Sequence, residues 1–249
     1  IGTTPADVPD SLMLAALASY ARHWKEAFRL PSRDLPTLAA RLNDVFIGAE
    51  HFAAAHAGGR GAMMALPHSG NWDMAGVWLA QNYGTFTTVA ERLKPESLYD
   101  RFIAFRESLG FEVLPASGGD RPPMEVLAER LHANRFVCLM ADRDLSRSGV
   151  PVQFFGEPTR LPAGPAKLAL QTGAPLHPAH VYYDGDDCVV RIDDAIDTGS
   201  GDVGVITQAL ADRFAINIAA HPQDWHMLQP LWLADLSEQR RARLEDNGA

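Results

Sequence analysis

LPHSGNWDMAG, residues 66–76, is the stretch on which the fold turns. It begins inside an apolar run, GAMMALP (61–67), bends through Pro67-His68-Ser69-Gly70, and continues into WDMAGVWLAQNYG, whose composition suits a helix closed by Gly84. Such a strand-to-helix corner is the repeating joint of an α/β protein. It also sets His68 five positions before Asp73. Nine histidines and 31 acids in 249 residues give about one such pair from composition alone, so spacing by itself decides nothing. Place in the fold gives it weight, because ligands of open α/β sheets bind just beyond the carboxyl ends of strands.

Outward from that corner, strand and helix patterns alternate. TFTTVAERL (85–93) is β-branched and strand-like, and LYDRFIAFRESLG (98–110) sets Leu98, Phe102, Phe105 and Leu109 at helical spacing with Gly110 as stop. FEVLP reads as a short strand, PMEVLAERLHAN (123–134) as a helix, and RFVCLMA (135–141) as a buried strand running straight into Asp142-Arg143-Asp144. LSRSGVPVQFFGEPTRLPAG reads as a loop before a short helix around PAKLALQTG. APLHPAHVYYD and DDCVVRIDDAI are two further strands, 202–221 is a long amphipathic helix, and LSEQRRARLEDNGA is a charged tail. Near the start, residues 11–28 form a helix with apolar residues around much of its circumference; it either packs on the core or lies on a membrane or acyl chain. The alternation predicts an α/β fold, one domain over 1–249, with a central, mostly parallel sheet flanked by helices. His68 and Asp142 then each follow the end of an apolar strand.

Composition narrows the function classes. Hydrophobic residues make up 47% of the chain, enough for a full core. The two cysteines, Cys138 and Cys188, sit inside apolar runs and read as small buried hydrophobes, which favours a reducing compartment. A net charge of −9 argues against general nucleic-acid binding, which rests on clustered Lys and Arg. No run of 18 uncharged apolar residues spans a bilayer, and no three-part signal peptide is present. The chain starts at Ile1 without methionine, so a natural N-terminus upstream of it is expected.

Three groups of residues carry chemistry. At the corner, Asp73 in the first helical turn can accept a proton from one nitrogen of His68 and leave the other free as a base, while N–H groups of the helix start face a developing oxyanion. Glu91 and Arg92 precede a helix on which Arg106 borders the apolar stripe, either as a snorkelling residue or as partner to a carboxylate or phosphate. Asp142-Arg143-Asp144, followed by Arg147, Arg160 and Lys167, makes a site for an anionic ligand. Other signals are weaker. GSGDVG (199–204) fits a dinucleotide glycine pattern before a helix, but too little chain follows it for that fold; a nicotinamide-dependent oxidoreductase rests on this match alone. His177 with His180, and His221 with His226, have loose metal-like spacing without a third ligand. No serine-hydrolase elbow and no P-loop is present.

HSGNWD, TVAERLKPESLYDRFIAFRESLGFEVLP, MEVLAERL and CLMADRDLSRSGVPVQFFGEPTRLPAGPAKLALQTGAPL, in that order, resemble the lipid A lauroyl/myristoyl acyltransferases, a family of His-x4-Asp/Glu enzymes. Within it, they are similar to the branch that acylates phosphatidylinositol mannosides. The resemblance covers roughly residues 15–235, and the D-x-D…PxxFFG…PAG block is its most specific part. Pro67 before His68 argues against the glycerol-phosphate branch, which has Asn-His there. The resemblance implies a glycerolipid-acyltransferase-like fold and a peripheral enzyme on the cytoplasmic side of the cell membrane. It implies palmitoyl-CoA as donor and a mannose hydroxyl of phosphatidylinositol mono- or dimannoside as acceptor. His68 would be the base and Asp73 its partner, with Glu91, Arg106 and Asp142 at charged motif positions and Asp142 a possible third member of the relay. Direct transfer calls for no metal and no cofactor. Arg92, Arg106 and Arg143 are expected near substrate phosphates, and Phe102 and Phe105, or the 74–80 helix, along the acyl tail. A basic face near the His68 opening is expected, to offset the chain's acidity at an anionic leaflet. A lipid A precursor with an acyl carrier protein donor is the nearest alternative, and a noncatalytic lipid-binding protein a further one.

Overall fold

A computed structural model describes residues 7–245. In chain order the elements are α1 (Asp10–Arg29), α2 (Leu35–Asn43), β1 (Phe46–Ile47), α3 (Ala49–Ala57), β2 (Ala62–Leu66), α4 (Trp72–Tyr83), β3 (Thr87–Ala90), α5 (Glu96–Ser108), β4 (Glu112–Pro115), α6 (Pro123–His132) and β5 (Phe136–Met140). They continue with β6 (Val150–Phe154), β7 (Glu157–Leu161), α7 (Gly164–Thr172), β8 (Leu176–Asp184), β9 (Asp187–Ile192), α8 (Val203–Ala220) and α9 (Glu238–Glu245). A seven-stranded sheet runs in the order β1-β9-β8-β2-β5-β3-β4. Its pairings are parallel except for β8 with β9. This is the mostly parallel, helix-flanked α/β sheet that the alternating pattern predicts.

β2 is buried throughout, and its alternating side chains feed both faces. Met64 and Leu66 pack with Phe52, Ala75, Trp78 and Phe136 on one side. Met63 and Ala65 pack with Leu127, Leu168, Leu210 and Phe214 on the other. Helices on both faces explain why β2 and β5 read as unbroken apolar runs. Their register, Leu66 opposite Met140, places the two strand ends side by side.

Three features depart from the sequence reading, and a fourth segment bears on the glycine pattern that it discounted. The segment read as a loop after Asp144 folds as the antiparallel β6–β7 hairpin; Pro151, Gly156 and Pro158 hid its strand pattern. The charged tail contains α9, and its last residues, 246–249, lie outside the described residues. Residues 35–57, unassigned from sequence, form α2, β1 and α3. GSGDVG is a helix cap: the Asp202 side chain accepts from Val205 N–H at 2.9 Å, and among the described residues no strand follows α8. That context lacks the parallel βαβ unit a dinucleotide fingerprint requires.

Candidate active site

His68 and Asp142 each lie two residues past the ends of neighbouring parallel strands. The ladder continues one step, with Ala141 N–H donating to Leu66 O at 2.8 Å, and the two side chains then meet. His68 Nδ1 is 2.7 Å from Asp142 Oδ1, and the His68 amide donates to Oδ2 at 2.8 Å. Asp142 is fully buried, whereas the His68 side chain is 40% exposed, so the imidazole edge not facing the carboxylate is within reach of solvent. Burial alone would lower the His68 pKa, but the Asp142 charge and hydrogen bond outweigh it and the pKa is raised. Burial would raise the Asp142 carboxyl, yet the His68 ring and amide and the Trp225 indole together hold it below the ordinary carboxylate range. Both shifts favour an ionised carboxylate facing a ring that gains stability on taking a proton.

The turn leaves little freedom. Ser69 N–H closes onto Pro67 O at 2.8 Å, and Gly70 N–H donates to Asp224 O at 2.8 Å. Gly70 has φ +53°, and a Cβ there would stand 2.6 Å from the Val181 carbonyl oxygen, so only glycine lets the chain turn against β8. Asn71 then caps α4 by accepting from Met74 N–H at 3.3 Å. With the Ser69, Gly70 and Met74 amides engaged in this way, they are not open to an oxyanion.

Asp73 takes a different partner from the one its spacing implied. Its carboxylate accepts from Arg106 Nε at 3.2 Å across the α4–α5 interface, and both side chains are largely buried. The first turn of α4 carries Asp73 to the α5 side of the corner, and the orienting carboxylate of His68 comes from β5 instead. Asp142, despite its short side chain, reaches the ring because the strands are adjacent and in register.

Trp72 and Arg106 border three connected apolar or mixed spaces. The largest, about 760 Å³, is lined by His68, Glu91, Phe102, Arg143 and Ser146 among others, a size within the usual range of small-molecule sites. A second, about 310 Å³, lies between α1 and α5 and is lined by Trp24, Phe28, Leu98, Phe102 and Phe105. A small chamber of about 50 Å³ lies under Asp73 and Arg106, among Leu66, Gly76, Phe86, Phe111 and Met140. The expected residues His68, Glu91, Arg106, Arg143, Phe102 and Phe105 therefore converge. Arg92 does not join them: it pairs with Glu96 at 2.7 Å in a neighbouring groove. Arg160 bonds the Gly149 carbonyl at 2.9 Å and holds the β6–β7 hairpin, and Lys167 lies exposed on α7.

Residues that sequence reasoning passed over also surround the dyad. Trp225 donates its indole N–H to Asp142 Oδ2 at 3.0 Å from 83 residues away, a separation that leaves no spacing signal. His226, weighed above as a weak metal ligand, donates its amide to His68 O at 2.7 Å, and its ring meets Ser19 Oγ at 3.0 Å. Ser19 also donates to Asp224 at 2.6 Å, which ties α1 to the His68 corner. His180 meets Ser69 Oγ at 3.1 Å, His177 meets the Asp193 carbonyl at 2.9 Å and His221 stacks on Tyr182 at a centroid distance of 3.7 Å; among the described residues no three metal-ligating side chains gather around either pair.

Comparison with known proteins gives the class first. The sequence matches the family model described as bacterial lipid A biosynthesis acyltransferase over residues 1–234, and the chain belongs to that family of acyltransferases. More particular relatives follow. The chain is 67% identical, over 98% of its length and 80% of the other, to a protein of Mycolicibacterium smegmatis named phosphatidylinositol mannoside acyltransferase. It is 66% identical to proteins of the same name from two Mycobacterium tuberculosis strains, CDC 1551 / Oshkosh and H37Rv, over 98% of this chain and 77% of theirs.

Proposed function

We propose that this acyltransferase moves a long acyl chain, palmitoyl by preference, from acyl-CoA to a mannose hydroxyl of a phosphatidylinositol mannoside, with His68 as general base. The observation that carries the chemistry is the 2.7 Å His68–Asp142 contact at the mouth of a large cleft. A sugar hydroxyl is a weak nucleophile and needs its proton taken as it attacks. Asp142 accepts from Nδ1–H, which leaves Nε2 as the base. As the hydroxyl oxygen bonds to the thioester carbonyl carbon, its proton passes to Nε2, and the imidazolium is balanced by the buried Asp142 charge. Collapse of the tetrahedral intermediate breaks the C–S bond, and Nε2 returns the proton to the departing thiolate, giving ester and free CoA. The acceptor class is supported by the names of the relatives at 66–67% identity.

Arg106 and Arg143, at the cleft wall, suit the phosphates of either substrate. The apolar space between α1 and α5 suits acyl chains. The enzyme works at the cytoplasmic face of the cell membrane in this reading. Support comes from α1, whose inward face is Ser19, His23 and Ala27 while Leu14, Leu17 and Phe28 are 67%, 65% and 77% exposed. Exposed Lys25, Arg29 and Arg33 lie near Phe28 in sequence and support an attraction to an anionic leaflet. No described helix is long and apolar enough to cross a membrane.

The test supplies palmitoyl-CoA and mannosylated phosphatidylinositol to the parent chain and to His68→Ala, and follows acylated lipid and free CoA. The variant is expected to lose turnover by about 10²- to 10⁴-fold. Equal turnover by both would remove His68 from the mechanism, and product only with a lipid A precursor and acyl carrier protein would reassign both substrates.

A further inference from the structure

The carboxylate that orients His68 is held by three donors, and one of them lies outside every motif. Oδ1 faces the ring. Oδ2 accepts from the His68 amide at 2.8 Å and from Trp225 Nε1 at 3.0 Å. Asp142 is fully buried, so no water competes for these positions. Trp225 is itself fixed on several sides. It forms an isolated antiparallel bridge with Ser69, and its neighbours in sequence bond the same turn: Asp224 O accepts from Gly70 N–H at 2.8 Å, and His226 N–H donates to His68 O at 2.7 Å. Phe154 meets the indole edge at a centroid distance of 5.8 Å, and Phe155 and Trp232 pack at 6.0 and 6.4 Å.

We infer that Trp225 is a positioning residue of the transfer reaction, its indole N–H locking the Asp142 carboxylate so that Oδ1 addresses His68 Nδ1. The inference rests on the reading of His68 as base. Two consequences separate this role from mere packing. The indole N–H shares Oδ2 with the His68 amide, so its loss removes one of the two bonds that fix the carboxylate plane and loosens the alignment of Oδ1 with the ring. It also neutralises part of the carboxylate charge, so its loss leaves a more negative partner and a His68 that binds its proton more tightly. Aromatic packing alone produces neither.

The experiment replaces Trp225 with Phe and, to keep ring shape intact, with benzothienylalanine, which carries sulfur in place of the indole N–H. Two readouts are taken on the full chain. In histidine NMR titrations of the ligand-free protein, the His68 midpoint is expected to move to higher pH in both variants. In acyl transfer from palmitoyl-CoA, kcat is expected to fall about 10-fold, the scale of losing one hydrogen bond to a charged group. KM for the donor should hold, and the acid limb of kcat/KM should shift upward in parallel. An unmoved His68 midpoint in the benzothienylalanine protein overturns the inference whatever the kinetics show. Should Trp225→Phe fail to fold, the isosteric replacement alone decides it. If His68→Ala keeps full turnover, the base reading fails instead, while the NMR midpoint still reports separately on the Trp225 contact.

Discussion

A histidine acts as a base only while its ring is neutral, so the partner that stabilises its charged form also sets the pH at which it works. Asp142 raises the His68 pKa above its ordinary value of 6.5, against the pull of burial. The rate constant kcat/KM should therefore rise with pH through a midpoint above 6.5 and level off once the ring is neutral. Asp142→Asn removes the charge and leaves burial to dominate, so that midpoint should drop, and the plateau should fall by roughly two to four orders of magnitude as the imidazolium loses its counter-charge. A pH profile of Asp142→Asn with the parental midpoint would show that another group tunes His68. The spacing of His68 and Asp73 made the corner visible but misassigned the pair. Five residues of local chain fix where two side chains start, whereas partner choice here depends on the register of β2 against β5, which no local pattern encodes. Arg106 was recognisable as a border residue on α5, and its carboxylate turned out to be Asp73.

At the scale of elements, apolar patterning was legible where a long run or stripe ended in a clear stop, but α2 went unread although Leu35, Leu38 and Leu42 pack on the core. β2, β5, α4, α5 and α6 carry long apolar patterns with clear stops, and the structure follows them. α3 escaped because AEHFAAAHA has nearly no periodicity, and the β6–β7 hairpin because Pro151 and Pro158 interrupt its ten strand positions and Gly156 sits in its turn. α1 is the instructive case, since one of its faces packs on the fold and the lipid reading of the other is a proposal. The inner face is polar and histidine-bearing, and the outer face is apolar. An exposed apolar stripe of this kind is unusual on a surface that meets only water. If it meets lipid, Phe28→Asp should weaken sedimentation with anionic phospholipid vesicles several-fold, and Arg29→Glu should do so in a salt-sensitive manner. Both variants should retain their far-UV spectrum, because both positions are exposed. Full vesicle binding by Phe28→Asp would turn the membrane face elsewhere.

Across the whole molecule, histidine does two opposed jobs. His68 has its pKa raised, so its contribution to stability is complete below 6.5 and is lost as pH rises through its folded value. His180 and His226 are the reverse: burial, with neighbouring positive groups, lowers them to about 3 and about 4. Each has a buried ring nitrogen without a hydrogen-bond partner, consistent with rings kept neutral in the fold. His23 and His177 are also lowered, burial again leading. For this set the unfolded chain takes up protons near 6.5 while the native chain does not, so stability falls as pH drops below 6.5. Each group contributes up to about 1.4 kcal/mol per pH unit in that window, and His68, whose contribution is already complete there, offsets none of it. Urea midpoints should consequently be lower at pH 5.5 than at pH 7.5, with unfolding rather than loss of the base limiting the enzyme in acid. His180→Gln, which keeps a polar side chain beside Ser69 but cannot titrate, should flatten that dependence. A midpoint that holds or rises between pH 7.5 and 5.5 in the parent chain would mean that the buried histidines are protonated in the native fold. The neutral packing of α1 and residues 224–226 around the His68 corner would then have to be redrawn with charge in it.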